Sequence, residues 1–96
     1  MRLDRVPLNG GGKTSLKTHL RSAMRRALIA AVVDARVAAG LTQRSLAAKL
    51  KRSDSFVWKF EAGEGQLKVL EFIELATALD VEPEELLRRV RTRVHR

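Results

Sequence analysis

The chain has no cysteine, so neither a disulfide framework nor a thiolate-ligated zinc or iron–sulfur site is available to it. Its two histidines, His19 and His95, stand at opposite ends of the sequence, an arrangement unsuited to shared metal ligation. No apolar run approaches the ~20 residues of a membrane-spanning helix, and the opening stretch from Met1 to Lys13 lacks the apolar core of a secretory leader. No segment alternates apolar and polar residues with a period of two, so no sheet is expected. There is no internal repeat, no nucleophile–base set, no acid pair and no metal-ligating cluster. These absences leave a cytoplasmic, non-enzymatic protein without a cofactor as the expectation. The 96 residues allow one small domain, burying only about 60–65% of the surface its unfolded chain exposes. A separate ligand-sensing module is not expected in so short a chain.

What is present is positive charge, unevenly placed. Hydrophobic residues make up 45% and charged residues 31% of the chain, with a formal net charge of +8. Residues 1–26 hold seven basic residues and one acid, +6; residues 27–63 hold six and three, +3. Residues 64–87 reverse the sign with one basic residue and seven acids, −6, and residues 88–96 add five arginines and no acid, +5. A basic front, an acidic block and a basic tail suggest one surface that meets a polyanion and another that does not. Charge that merely keeps a small protein soluble gives the same total.

Residues 1–14 read as a flexible basic arm, because Pro7 and the run Asn9 to Gly12 oppose regular structure. From Ser15 the pattern changes. Leu16, Leu20, Ala23, Ala27, Ala31, Ala35 and Ala38 recur every three or four residues, with Leu28 and Val32 beside them, the mark of an amphipathic helix. Ser15 or Ser22 can cap its start, and Gly40 stops it. Thr42 caps a short helix, Gln43 to Leu50. Ser53 caps another, running to Ala62 and ended by Gly63. A fourth is expected over Val69 to Leu79, with Leu70, Ile73, Ala76 and Thr77 on its inner face and Phe72, Leu75 and Leu79 widening it. A fifth follows Glu82, with Pro83 at its first position, Glu84 and Glu85 in its first turn, and Arg88, Arg89 and Arg91 toward its end. The fold class is therefore all-α, a five-helix domain over residues 15–90 with a basic tail at 91–96.

One apparent motif is rejected. Gly11-Gly12-Lys13-Thr14-Ser15 resembles the end of a phosphate-binding loop, but that pattern needs glycine where Pro7 stands and a buried strand that Met1 to Val6 cannot supply.

The informative stretch is Gly40 to Gly63, where a short helix, a tight turn and a second short helix follow one another. Ala47 is small where two helices must cross closely, and Val57 and Phe60 seat the later helix on the earlier one. This is a helix-turn-helix, whose second helix is built to lie in a DNA major groove. At about 100° per residue, with Val57 and Phe60 inward, Ser55 points outward and Trp58 and Lys59 lie about 50° to either side. Ser55 and Lys59 are the leading candidates for base edges, Lys59 favouring guanine. Phe56 is placed to touch a thymine methyl and Asp54 to accept from cytosine; Asp54 otherwise repels phosphate. Arg44, Arg52 and Ser53 are placed to hold phosphates, though Arg44 and Lys59 also suit a solvated surface. Trp58 has three uses open to it: packing against the arm, meeting a partner, or lining the groove.

The stretch closely resembles the Cro/repressor-type (XRE-like) helix-turn-helix family of bacterial and phage regulators. The resemblance rests on Gly40-Leu41-Thr42-Gln43, Leu46-Ala47, Leu50, Ser53, Val57, Phe60-Glu61-Ala62-Gly63 and the block Leu70 to Val81. It covers about residues 25–90 and implies a lambda-repressor-like domain that binds double-stranded DNA as a transcriptional regulator, expected to repress. It also implies that Gln43 contacts the DNA backbone or an outer base, and that pairing into a homodimer uses the segment after the fourth helix. There Leu86, Leu87, Val90 and Val94 form a stripe that serves either a partner copy or the chain's own core. The family has glycine where this chain has Lys51, and a left-handed backbone at that turn costs a non-glycine residue roughly 1–2 kcal/mol. Small members also act as antitoxins, which makes a toxin protein the alternative partner and the acidic block 64–87 its natural contact. A nonspecific nucleoid or RNA binder is a third reading, but it has no need of a capped recognition helix. Arg2, Arg5 and Lys13, with Arg91, Arg93 and Arg96, are expected to add phosphate contacts or solvated ends and to steepen the salt dependence of binding.

Overall fold

The alanines and leucines that recur along residues 20–38 stack on one side of a single long helix, α1, Gly10–Ala38. In the computed structural model the backbone is described for residues 10–94 and side chains for residues 17–94. Four more helices follow: α2 Gln43–Lys49, α3 Ser55–Glu61, α4 Val69–Ala78 and α5 Pro83–Val94. No strand occurs among the described residues. α1 begins five residues before Ser15, so residues 10–14 of the expected flexible arm are helical, continuing the helix despite three glycines, and neither Ser15 nor Ser22 is its cap. Residues 1–9 of the expected arm, including Arg2 and Arg5, lie outside the described residues, as do His95 and Arg96. At about 1.5 Å per residue, the 29 residues of α1 account for most of the 47 Å long axis of the molecule.

The core is small and contiguous. Ala27, Ala31, Val32 and Ala35 of α1 meet Leu46 and Ala47 of α2, Val57 of α3, Leu75 and Ala76 of α4 with Leu79, and Leu86 and Val90 of α5. α1 packs along α5 and against α3, α2 against α3, and α4 against α5. Alanine dominates the α1 contribution because a helix this central must be approached closely from two sides. Ala47, fully buried, plays the same part where α2 meets α3.

Four of the helices stop in the same way. In each, a residue with left-handed backbone follows the helix end: Gly40 at φ 73°, Lys51 at φ 58°, Gly63 at φ 87° and Asp80 at φ 62°. Its N–H returns to the carbonyl three residues back, and the next N–H returns to the one five back. The pairs are Gly40–Val37 and Leu41–Arg36, Lys51–Ala48 and Arg52–Ala47, Gly63–Phe60 and Glu64–Lys59, and Asp80–Thr77 and Val81–Ala76. This is the Schellman arrangement. Glycine adopts it freely at two of the stops. Lys51 keeps the left-handed backbone of the turn and bears its cost, and Asp80 is a second such non-glycine residue.

Two further expectations are corrected. The inner face of α4 is not the one through Leu70, Ile73 and Thr77: Leu70 is 73% exposed and Ile73 42%, while Leu75, Ala76 and Leu79 are buried and Phe72 packs beside them. α4 is apolar on two sides, so its periodicity fits two orientations, and the position of α5 selects one. The second correction concerns Ser53, which does not cap α3. Asp54 already has helical dihedrals and occupies the cap position without a side-chain bond. The Phe56 N–H bonds the Ser53 carbonyl at 3.0 Å, so the main chain enters the helix through a tight turn that leaves the Ser53 hydroxyl 3.3 Å from that of Ser55. By contrast, Thr42 caps α2 as expected, accepting from the Ser45 N–H while the Ser45 hydroxyl accepts from the Thr42 N–H.

Candidate nucleic-acid interface

α3 is held from behind on two sides. Val57 is buried and Phe60 half-buried against the core. On the flank facing the start of α2, Glu61 receives a two-pronged contact from Arg36, Nε to Oε2 at 2.7 Å and Nη2 to Oε1 at 3.0 Å. The third guanidinium nitrogen of Arg36 donates to the Leu41 carbonyl at 2.8 Å. Gln43 then donates from Nε2 to Glu61 Oε1 at 2.7 Å. The side chains of Arg36 and Glu61 are only 14% and 7% exposed, so this network ties the end of α1, the start of α2 and the end of α3 into one rigid corner. Arg25 adds a tie just beyond the end of α3, donating to the Gly63 carbonyl at 2.9 Å and to that of Gly65. The sequence reading missed Arg25, Arg36 and Glu61 as positioning residues. Glu61 stood within the quoted motif, but its partner lies 25 residues upstream, and only the fold brings the two together.

The outward side of α3 carries Ser55, Trp58 and Lys59. Ser55 is half-buried beside Ser53; Lys59 is exposed and makes no ion pair among the described residues. Trp58 is 51% exposed. The remaining candidates are less free than their sequence positions suggested. Arg44 pairs with Asp54 at 3.3 Å across the two helices, with both side chains largely in solvent, so each softens the charge of the other. Arg52 contacts Glu71 at 3.1 Å and Glu74 at 3.7 Å, and its guanidinium stacks 4.7 Å from the centre of the Phe56 ring. Phe56 is half-buried against the core, with the Arg52 guanidinium over its ring.

The acidic block is likewise partly occupied. The Glu71 carboxyl is held below its ordinary value of 4.5 chiefly by the Lys68 N–H, with help from Arg52. That of Glu85 is lowered first by its hydrogen bond from Arg89 at 3.1 Å, then by Arg88. Arg93 of the expected phosphate-binding tail pairs instead with Asp34 of α1, while Arg91 is exposed. Of the four residues expected at a dimer contact, Leu86 and Val90 belong to the chain's own core and Val94 packs against it. Leu87 alone points out, 51% exposed.

With this geometry established, comparison with known proteins is decisive. Residues 18–91 match a family model described as a helix-turn-helix domain. The chain is also similar to the solved structure of an XRE-family like protein from Pseudomonas syringae pv. tomato str. DC3000. The two are 36% identical, the match covers 80% of this chain and 94% of that one, and the TM-score is 0.75. The chain belongs to the XRE-like helix-turn-helix regulators. No curated relative matches it. Membership in this family makes it a DNA-binding regulator, with α2 and α3 as the helix pair. No helix among the described residues is long and apolar enough to cross a membrane.

Proposed function

We propose that the protein is a sequence-specific transcriptional repressor that inserts α3 into the DNA major groove and binds as a dimer to a pseudo-palindromic site. The observation that carries this reading is the contrast between the two sides of α3: locked behind by Val57, Phe60 and the Arg36–Glu61–Gln43 network, open in front at Trp58 and Lys59, with the half-buried Ser55 hydroxyl between them. A rigid helix presenting a hydroxyl and an ammonium group is suited to base edges. Gln43 and Arg44 at the start of α2 stand beside it to fix register on the phosphates. Repression follows as the simplest output, since a domain that covers its operator blocks the polymerase by occupancy alone. One α3 reaches only a few base pairs, so a useful site needs two copies with their recognition helices about 34 Å apart. Leu87, the exposed member of the α5 stripe, is the apolar contact expected between them.

Selection of binding sites from a randomised duplex pool tests this reading. An inverted repeat with half-sites about one helical turn apart, bound by two chains per duplex in sedimentation, is expected. An asymmetric site bound by one chain removes the dimer. Recovery of no preferred sequence removes specific readout and favours the toxin-directed alternative, for which affinity capture of a basic protein partner is the next step.

A further inference from the structure

Trp58 is the one large aromatic of α3 that the fold does not use. Phe60 is packed into the core side, and Phe56 is half-buried beneath the Arg52 guanidinium. Trp58 is left half-exposed, and an indole left in water on a rigid helix is an unfavourable arrangement unless something covers it. Its neighbours say what. Asp54, Trp58 and Glu61 are four and three residues apart, so they stand one above another along a single flank of α3. The residue before Trp58 in this column reaches Arg44 of α2, and the residue after it reaches Gln43 of α2. Trp58 is therefore bracketed by the two side chains at the start of α2 that are placed against the DNA backbone. Lys59 and Phe56 lie on the opposite flank, toward the loop of residues 64–67.

With α3 in the major groove, this placement sets the indole at the groove wall, between the strand that Gln43 and Arg44 of α2 would hold and the bases toward which Lys59 is turned. The group that a base pair presents there to an apolar partner is the C5 methyl of thymine. We infer that Trp58 is a specificity-determining residue that reads a thymine methyl at the outer end of each half-site. The inference rests on the proposal that α3 enters the major groove, and it adds a base preference that no charged or hydroxyl side chain of α3 supplies.

The test uses the full chain and an operator obtained by selection. Each thymine is replaced in turn by deoxyuridine, which keeps the base pair and removes only the methyl group. For the wild type, substitution at one outer position of a half-site weakens binding about 4-fold, the worth of one buried methyl, and other positions respond less. Trp58→Ala binds the unmodified operator about 10-fold more weakly and no longer senses that substitution. Trp58→Phe, which retains an apolar ring, keeps the sensitivity and shows that the site remains folded. Because a hydrophobic contact releases no counterion, the salt slope is the same for Trp58→Ala and wild type. Trp58 is also the only tryptophan, and there is no tyrosine, so intrinsic emission reports this side chain alone and shifts to the blue on operator binding. Methyl sensitivity that persists in Trp58→Ala, or emission unchanged at saturating operator, overturns the inference. Lys59→Ala separates this from the parent reading. If it loses discrimination at a different base pair while no thymine responds through Trp58, only the inference fails. If it binds and discriminates as wild type does, the groove reading fails.

Discussion

Replacing Lys51 by glycine is expected to stabilise the protein, and the size of the effect follows from the turn between α2 and α3. Lys51 sits at φ 58°, the position after the helix end in a Schellman stop, with its N–H on the Ala48 carbonyl and the Arg52 N–H on that of Ala47. A side chain in the left-handed region costs roughly 1–2 kcal/mol. Glycine removes that cost but widens the unfolded ensemble by about 0.5–1 kcal/mol. The difference is a gain of about 0.5–1 kcal/mol, or about 2–8 °C in the midpoint of thermal unfolding for a domain of this size. Lys51→Ala is the control: it removes the same ammonium group while keeping Cβ, so it isolates any effect of lost charge. Thermal and urea denaturation of wild type and both variants, at equal salt, provides the measurement. A Lys51→Gly protein no more stable than Lys51→Ala refutes the claim that backbone strain is stored at this turn. Asp80→Gly, at φ 62°, is an independent repeat of the experiment at the end of α4.

Three further outcomes are expected. Leu46→Ala, truncating a side chain with no exposed surface at the α1–α2–α3 junction, costs about 2–5 kcal/mol in urea unfolding. Arg36→Ala leaves the Glu61 carboxylate with Gln43 as its remaining side-chain partner and costs about 2–4 kcal/mol; it also weakens operator binding beyond its effect on folding, because the Gln43 anchor loosens. The Glu71 and Glu85 carboxyls have folded pKa values below the ordinary 4.5. Their contribution to stability is therefore complete above that value and lost as pH falls through the lowered one. Glu85→Gln flattens this acid-side decline in a pH series of urea midpoints.

Much of the architecture was legible in the residues. Helix stops at Gly40 and Gly63, the Thr42 cap and the inward pair Val57 and Phe60 follow from local chemistry, and the fold places them accordingly. Legibility failed wherever two local answers were equally good. α4 carries apolar residues on two sides, so Leu70 and Ile73 looked as suited to the core as Leu75 and Leu79. The turn before α3 offered Ser53 as a cap, yet the Ser53 carbonyl took the bond instead. The candidate DNA contacts gather around α2 and α3, but their pairings are long-range. Nothing near Arg52 in sequence announces Glu71, and nothing near Arg36 announces Glu61. A helical wheel assigns direction to a side chain but is silent about the neighbour that occupies it.

The central claim, specific readout through the exposed face of α3, is tested most directly by fluorescence anisotropy. The selected operator and a scrambled duplex are titrated with wild type and Lys59→Ala at two salt concentrations. The account predicts that wild type prefers the operator by about 10³-fold or more. Lys59→Ala loses most of that preference, and binding to both duplexes weakens steeply with salt. Equal binding of both duplexes by the wild type, or a preference untouched by Lys59→Ala, contradicts it.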